Sequence, residues 1–124
     1  MARILLVEDE ESLGLLYRQE LEEEGYEVCW VSDGKAAVRM AQELRPDVII
    51  MDINLPEKMD GIESMSKILS EDPDLPVIIN TGYSEYQDNF MSWSADAYIL
   101  KSSDLGPLKD AVRAAVRRRE SPGS

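Results

Sequence analysis

Histidine is missing altogether from these 124 residues. Its absence removes the commonest general base, and with it most hydrolases built on a Ser-His-Asp type of triad. Cysteine occurs once, as Cys29, so no internal disulfide can form. One cysteine and no histidine leave the usual zinc sites without ligands. Phenylalanine also occurs once, and valine, isoleucine and leucine must carry most of the packing. No apolar run approaches the roughly 18 residues that a membrane span needs. The N-terminus enters a strand directly, with no signal-peptide pattern, and a cytoplasmic location is expected. Basic residues are scarce: Lys and Arg number 13 against 25 Asp and Glu, for a net charge of −12. That balance argues against direct nucleic-acid binding, which draws on basic patches. Neither GxGxxG nor a Walker P-loop occurs, so neither type of nucleotide cradle is expected.

What is present is an alternation of strand and helix signals. Residues 3–7 and 47–52 read as buried strands, because continuous apolar runs suit a sheet covered on both faces. Residues 27–31, 76–80 and 97–100 read as three more strands. Helices are expected over 11–24, about 34–44, 60–70, within 84–94, and over about 104–119. The first is expected to turn Leu13, Leu16, Tyr17 and Leu21 inward, with Ser12 as a cap and Gly25 as its stop. Ser32-Asp33-Gly34 caps the second, and Arg45-Pro46 ends it, since a residue before proline resists the helical conformation. The second helix turns Ala37, Met40, Ala41 and Leu44 inward; the third turns in Ile62, Met65 and Leu69. Five β-α units in this length predict one doubly wound α/β domain with a five-stranded parallel sheet. Residues 1–119 form that domain, and 120–124 read as a frayed tail or the start of a linker. Arg113 and Arg117 to Arg119 read as a solvated helix end whose cations suit the dipole.

The polar residues at the strand ends carry the chemistry. The first strand ends in Glu8 and Asp9, the third in Asp52, the fourth in Asn80-Thr81-Gly82, and the fifth in Lys101. In a parallel sheet all of these converge on one edge, where open α/β folds bind ligands. Three carboxylates brought together repel one another, and a divalent cation is the simplest counter-charge. Asp9 and Asp52 offer hard oxygen ligands for Mg²⁺, with Mn²⁺ as an alternative; Glu8 would act through a bound water, and the backbone carbonyl of Asn54 adds another oxygen. With the cation in place, Asp52 can attack phosphorus as a nucleophile. The Lys101 ammonium and the Thr81 hydroxyl would then balance charge on the phosphoryl oxygens. Each residue alone has a blander reading, as a helix-start acid, a turn residue or a solvated lysine; the weight rests on their joint order along the chain.

These residues carry a resemblance. The segments Ile-Leu-Leu-Val-Glu8-Asp9, Val-Ile-Ile-Met-Asp52-Ile-Asn-Leu-Pro56, Met59-Asp60-Gly61, Asn80-Thr81-Gly82 and Ala97-Tyr98-Ile-Leu-Lys101 resemble those of response regulator receiver domains, of the chemotaxis-response-regulator type. The resemblance spans residues 2–119. It implies a flavodoxin-like sheet of strand order 2-1-3-4-5 and phosphorylation of Asp52 by a histidine kinase or phosphotransfer protein. It implies that Glu8, Asp9, Asp52 and the Asn54 carbonyl hold Mg²⁺. It further implies that Thr81 and Tyr98 form a switch pair, which relays the change to the face of the fourth helix, fifth strand and fifth helix. That face would meet an effector protein or output domain, or a second copy in a phosphorylation-dependent homodimer. Such a protein phosphorylates and dephosphorylates itself but is not a turnover enzyme.

Three departures mark this chain. Two residues, Glu57 and Lys58, separate Pro56 from Met59, where the family usually has one. Ser102 follows Lys101 in place of the usual proline, and Tyr83 stands close after Thr81. Two other classes of protein share part of this pattern. A small aspartate-nucleophile phosphohydrolase would share the aspartate, threonine and lysine, but it typically has an acid/base aspartate two residues after the nucleophile, where this chain has Asn54. A phosphate-independent interaction module would normally have lost part of the acidic set or the lysine.

Overall fold

The computed structural model describes residues 2–52, 61–82 and 95–120. Five strands form one parallel sheet: β1 (Arg3–Val7), β2 (Glu27–Val31), β3 (Val48–Met51), β4 (Val77–Thr81) and β5 (Ala97–Leu100). Their order is β2-β1-β3-β4-β5, as the sequence leads one to expect. Four helices are described: α1 (Glu11–Glu23), α2 (Gly34–Leu44), α3 (Gly61–Glu71) and α4 (Gly106–Glu120). The expected helix within 84–94 lies outside the described residues, as do Asn54, Glu57, Lys58, Asp60, Tyr83 and the tail from 121.

Side chains alternate across the strands and divide the core in two. Leu5, Val7, Ile49, Met51, Val77 and Ile79 point to one face, where Ala37 of α2 and Met65 and Ile68 of α3 cover them. Ile4, Leu6, Val48, Ile50 and Ile78 point to the other, under Tyr17 and Leu21 of α1 and Leu108, Val112 and Val116 of α4. The central strands β1 and β3 are buried on both faces, which is why they read as unbroken apolar runs.

Local chemistry explains most element ends. Asp33 caps α2, its Oδ1 accepting from the Ala36 N–H at 2.8 Å. Gly25 follows α1 with φ +96°, a left-handed conformation that glycine adopts at little cost. Arg45 ends α2 with φ 50°, so the chain turns into the left-handed region directly before Pro46. The peptide bonds of the described residues are all trans, that between Lys101 and Ser102 included.

Three expectations are corrected. Ser12 is not a cap: α1 begins at Glu11, and Glu10, which flanks it, makes no side-chain cap. Leu16 faces solvent at 42% exposure, and Gly14 is buried instead. The late arginines do more than decorate a helix end. Arg119 holds Asp72 with two nitrogens, at 2.6 and 3.2 Å, and Arg118 Nε lies 2.7 Å from Asp96. Lys109 meets Glu20 at 2.8 Å and Arg113 meets Glu24 at 3.4 Å, so acidic α1 and basic α4 pair within the chain.

Candidate functional site

Three strands deliver the site at their carboxyl ends. Asp52 directly follows β3, and its N–H donates to the Val7 carbonyl at 3.1 Å, one residue beyond the last ladder pair. Glu8 directly follows β1, with its N–H donating to the Val31 carbonyl at 3.0 Å. Lys101 follows β5, and its N–H donates to the Thr81 carbonyl at 2.8 Å. These extra rungs carry the backbone order of the sheet out to the functional side chains.

The side chains then converge. Glu8 and Asp52 are almost wholly buried, at 1% and 4% exposure, while Asp9 is exposed. Carboxylate oxygens of Glu8, Asp9 and Asp52 lie within 4.8 Å of one another, as cation ligands must. The Lys101 ammonium lies 2.8 Å from Asp52 Oδ2 and 3.0 Å from Glu8 Oε1. A lysine thus supplies part of the counter-charge that the sequence assigns to a cation. The exposed Asp9 leaves the cluster open to solvent on one side.

Electrostatics follow from this placement. Burial pushes the Glu8 carboxyl above its ordinary value, and its hydrogen bonds from Lys101 and the Glu10 N–H only partly reverse that. Burial alone would pull Lys101 down. Its hydrogen bonds to Asp52 and Glu8 outweigh burial and hold it above the ordinary lysine value, so it stays an ammonium throughout the physiological range.

Thr81 is the last residue of β4 and is fully buried. Alternation puts it on the face of Val77 and Ile79. Tyr98 pairs with Ile79 across the β4–β5 ladder and packs, half-buried, against that same face. Thr81 and Tyr98, the switch pair expected from the sequence, therefore lie on one face of the sheet. Asn80 points the other way. Its side chain is hydrogen-bonded with the Tyr17 hydroxyl, and burial pushes that phenol up. Of the residues grouped at the end of the fourth strand, Asn80 thus belongs to the packing under α1.

Sequence reasoning missed Trp30 and Gly14. The indole Nε1–H of Trp30 donates to the Glu8 carbonyl at 2.9 Å. A Cβ on Gly14 would overlap that indole ring, so only glycine lets α1 lie against it. The signal was a glycine inside an otherwise good helix, which generally has a packing reason.

A doubly wound parallel sheet with an aspartate, an acidic pair and a lysine on one carboxyl edge defines a narrow class of α/β protein. The family model of the response regulator receiver domain matches residues 4–113, and the chain belongs to that family, the receiver domains of two-component systems. The alkaline phosphatase synthesis transcriptional regulatory protein PhoP of Bacillus subtilis is 35% identical over 120 residues, 95% of this chain and 50% of PhoP. Transcriptional regulatory protein PrrA of Mycobacterium tuberculosis is 35% identical over 121 residues, 96% of this chain and 52% of PrrA. This chain spans about half the length of these curated relatives. Among solved structures, response regulator TrrA of Thermotoga maritima, in complex with Mg(2+)-BeF, superposes with a TM-score of 0.86 at 36% identity, covering 93% of this chain and 99% of TrrA. A CheY-like receiver domain protein from Methanospirillum hungatei gives 0.90 at 29% identity, covering 99% of each chain. No helix among the described residues is long and apolar enough to cross a membrane.

Proposed function

We propose that residues 1–119 act as a phospho-acceptor signalling switch, with Asp52 as the acceptor. One observation carries the reading: a buried aspartate at the carboxyl end of the central strand, 2.8 Å from a lysine ammonium and clustered with two further carboxylates. A structural ion pair would need one carboxylate, not three. Glu8, Asp9 and Asp52 are the residues that would hold Mg²⁺ or Mn²⁺, with the Asn54 carbonyl as a further ligand. Their all-oxygen, acidic donor set suits a hard divalent cation. When bound, the cation supplies positive charge opposite the phosphoryl oxygens.

In this reading Asp52 attacks the phosphorus of a phosphohistidine on a sensor kinase or phosphotransfer protein. A new O–P bond forms as the P–N bond breaks, and the imidazole leaves with its electron pair. Lys101 supports the attack by offsetting negative charge beside Asp52. The phosphoryl group adds about −1.5 to −2 charges and three acceptor oxygens. Thr81 donates its hydroxyl to one of them, and Tyr98, on the same face, shifts with it. The surface of β5 and α4 then passes to the form that binds an effector or output domain, or a second copy. Such a shift is limited to the differential stabilisation of the two states. The protein acts in the cytoplasm, without contacting nucleic acid itself through this domain.

Intact-mass spectrometry after incubation with acetyl phosphate and Mg²⁺ tests the reading. The expected result is a gain of one phosphoryl group in the native chain, absent in Asp52→Asn and lost in EDTA. A native chain that gains nothing, or an Asp52→Asn chain that gains as much, overturns it.

A further inference from the structure

Trp30 sits on β2, at the edge of the sheet, and belongs to none of the motifs that define the site. Its indole N–H nevertheless reaches into it. The oxygen that accepts this hydrogen bond at 2.9 Å is the carbonyl of Glu8, in the peptide unit that joins Glu8 to Asp9. A peptide unit is planar, so holding its oxygen sets the plane from which the Asp9 side chain departs. The Glu8 N–H is already held by the Val31 carbonyl at 3.0 Å. Both polar backbone groups of Glu8 are therefore pinned to β2. Its carboxylate is pinned separately, by the Glu10 N–H at 3.1 Å and by Lys101.

The indole is itself held. Gly14 of α1 leaves the room that the ring occupies, and a side chain there would displace it. The Arg18 guanidinium lies over the ring, 5.9 Å from its centroid, within the range of a cation–π contact. The ring also borders a crevice of about 540 Å³ lined by Asp9, Glu11 and Ser32, so the brace stands directly beside the exposed ligand of the cluster.

We propose that Trp30 is a positioning residue for the divalent-cation site: its indole N–H fixes the Glu8–Asp9 peptide so that both carboxylates face Asp52. The proposal rests on the reading of Glu8, Asp9 and Asp52 as cation ligands. A purely packing role for Trp30 would need only the ring. A positioning role needs the N–H, and the two separate in experiment.

The test is a Mn²⁺ titration of the full chain, followed by the electron paramagnetic resonance of free Mn²⁺. It compares the native protein, Trp30→Phe, and a chain carrying benzothienylalanine at position 30, in which sulfur replaces the indole N–H at nearly the same shape. Loss of an outer partner of a metal ligand typically weakens affinity by 10–100-fold, so about tenfold weaker binding is expected in both variants. The benzothienylalanine chain should keep its metal-free urea midpoint. In the native chain the Trp30 indole proton should resist exchange and shift in the ¹H–¹⁵N spectrum, with Mg²⁺, at the same midpoint as binding. Native-like Mn²⁺ affinity in the benzothienylalanine chain overturns the proposal, even if Trp30→Phe fails to fold. A native chain that binds no Mn²⁺ overturns the cation reading itself, and the assignment of Trp30 with it.

Discussion

The Lys101 ammonium and Asp52 Oδ2 stand 2.8 Å apart, and the same ammonium stands 3.0 Å from Glu8. The site thus carries one fixed cation between two carboxylates that are otherwise almost shut off from water. Taking that cation away leaves both carboxylates facing each other. Lys101→Met should cost about 2–3 kcal/mol at pH 7, toward the lower end for a broken buried pair because the lysine is partly solvated. The loss should shrink at pH 4, where one carboxyl takes up a proton, and shrink when Mg²⁺ is added at pH 7. Urea denaturation under the three conditions checks this; an equal loss in all three would show that the charge is not the cause.

Cation affinity should fall with pH sooner than ordinary carboxylates would allow. Burial holds the Glu8 carboxyl above its usual value, so acidification protonates it early, and a cation must then displace that proton. The sign for folding is opposite. A carboxyl raised in the folded state binds more protons folded than unfolded, so the Glu8 contribution stabilises the metal-free chain as pH falls through that window. Mg²⁺ titrations at pH 5, 6 and 7.5 should give steadily weaker binding toward pH 5, and Glu8→Gln should flatten the trend.

Two glycines should respond differently to alanine. Gly14→Ala must push the Trp30 ring aside, and overpacking of this kind costs about 1–3 kcal/mol. Gly25 has open space around it but a φ of +96°, so Gly25→Ala should cost about 1 kcal/mol from backbone strain alone. The discriminating measurement is the Trp30 indole resonance, which Gly14→Ala should move and Gly25→Ala should leave in place.

Helix caps offer a sharper contrast. Asp33→Ala removes an N-cap hydrogen bond of 2.8 Å and should lower stability by about 1 kcal/mol. Ser12→Ala should be close to neutral, because Ser12 lies inside α1. Chemical denaturation of the two variants side by side decides between them.

The Arg119 and Asp72 pair should be measurable where most surface pairs are not, since the fork is bidentate and partly shielded. A double-mutant cycle of Arg119→Gln and Asp72→Asn should give a coupling of about 1 kcal/mol that weakens in high salt.

The sheet was legible in the sequence because β1, β3 and β4 are buried on both faces and allow few polar residues. Asp52, the acidic pair and the lysine were legible for a related reason: each interrupts an apolar strand at its end. The inward face of α1 was less so. A leucine at 16 fits the helical period as well as Gly14 does, and only the bulk of Trp30, arriving from a strand sixteen positions later, favours the glycine. Ser12 misled in a similar way, since a hydroxyl near a helix start reads as a cap until the first helical residue is known. Lys101 between two carboxylates was also out of reach, because spacing along the chain says which residues share an edge and not which of them touch. The Asn54 carbonyl and the segment 84–94 lie outside the described residues.

Asn80 and Thr81 are neighbours in the chain that answer to different halves of the molecule. Thr81 lies on the face of Tyr98 and the α2–α3 layer, while Asn80 is tied to Tyr17 in the layer of α1 and α4. β4 therefore acts as a partition. A displacement of the Thr81 side chain can be absorbed on one side of the wall, while the hydrogen bond one residue earlier anchors the strand from the other. Tyr17→Phe would remove the hydroxyl that holds Asn80, and with it the anchor on that side of the wall.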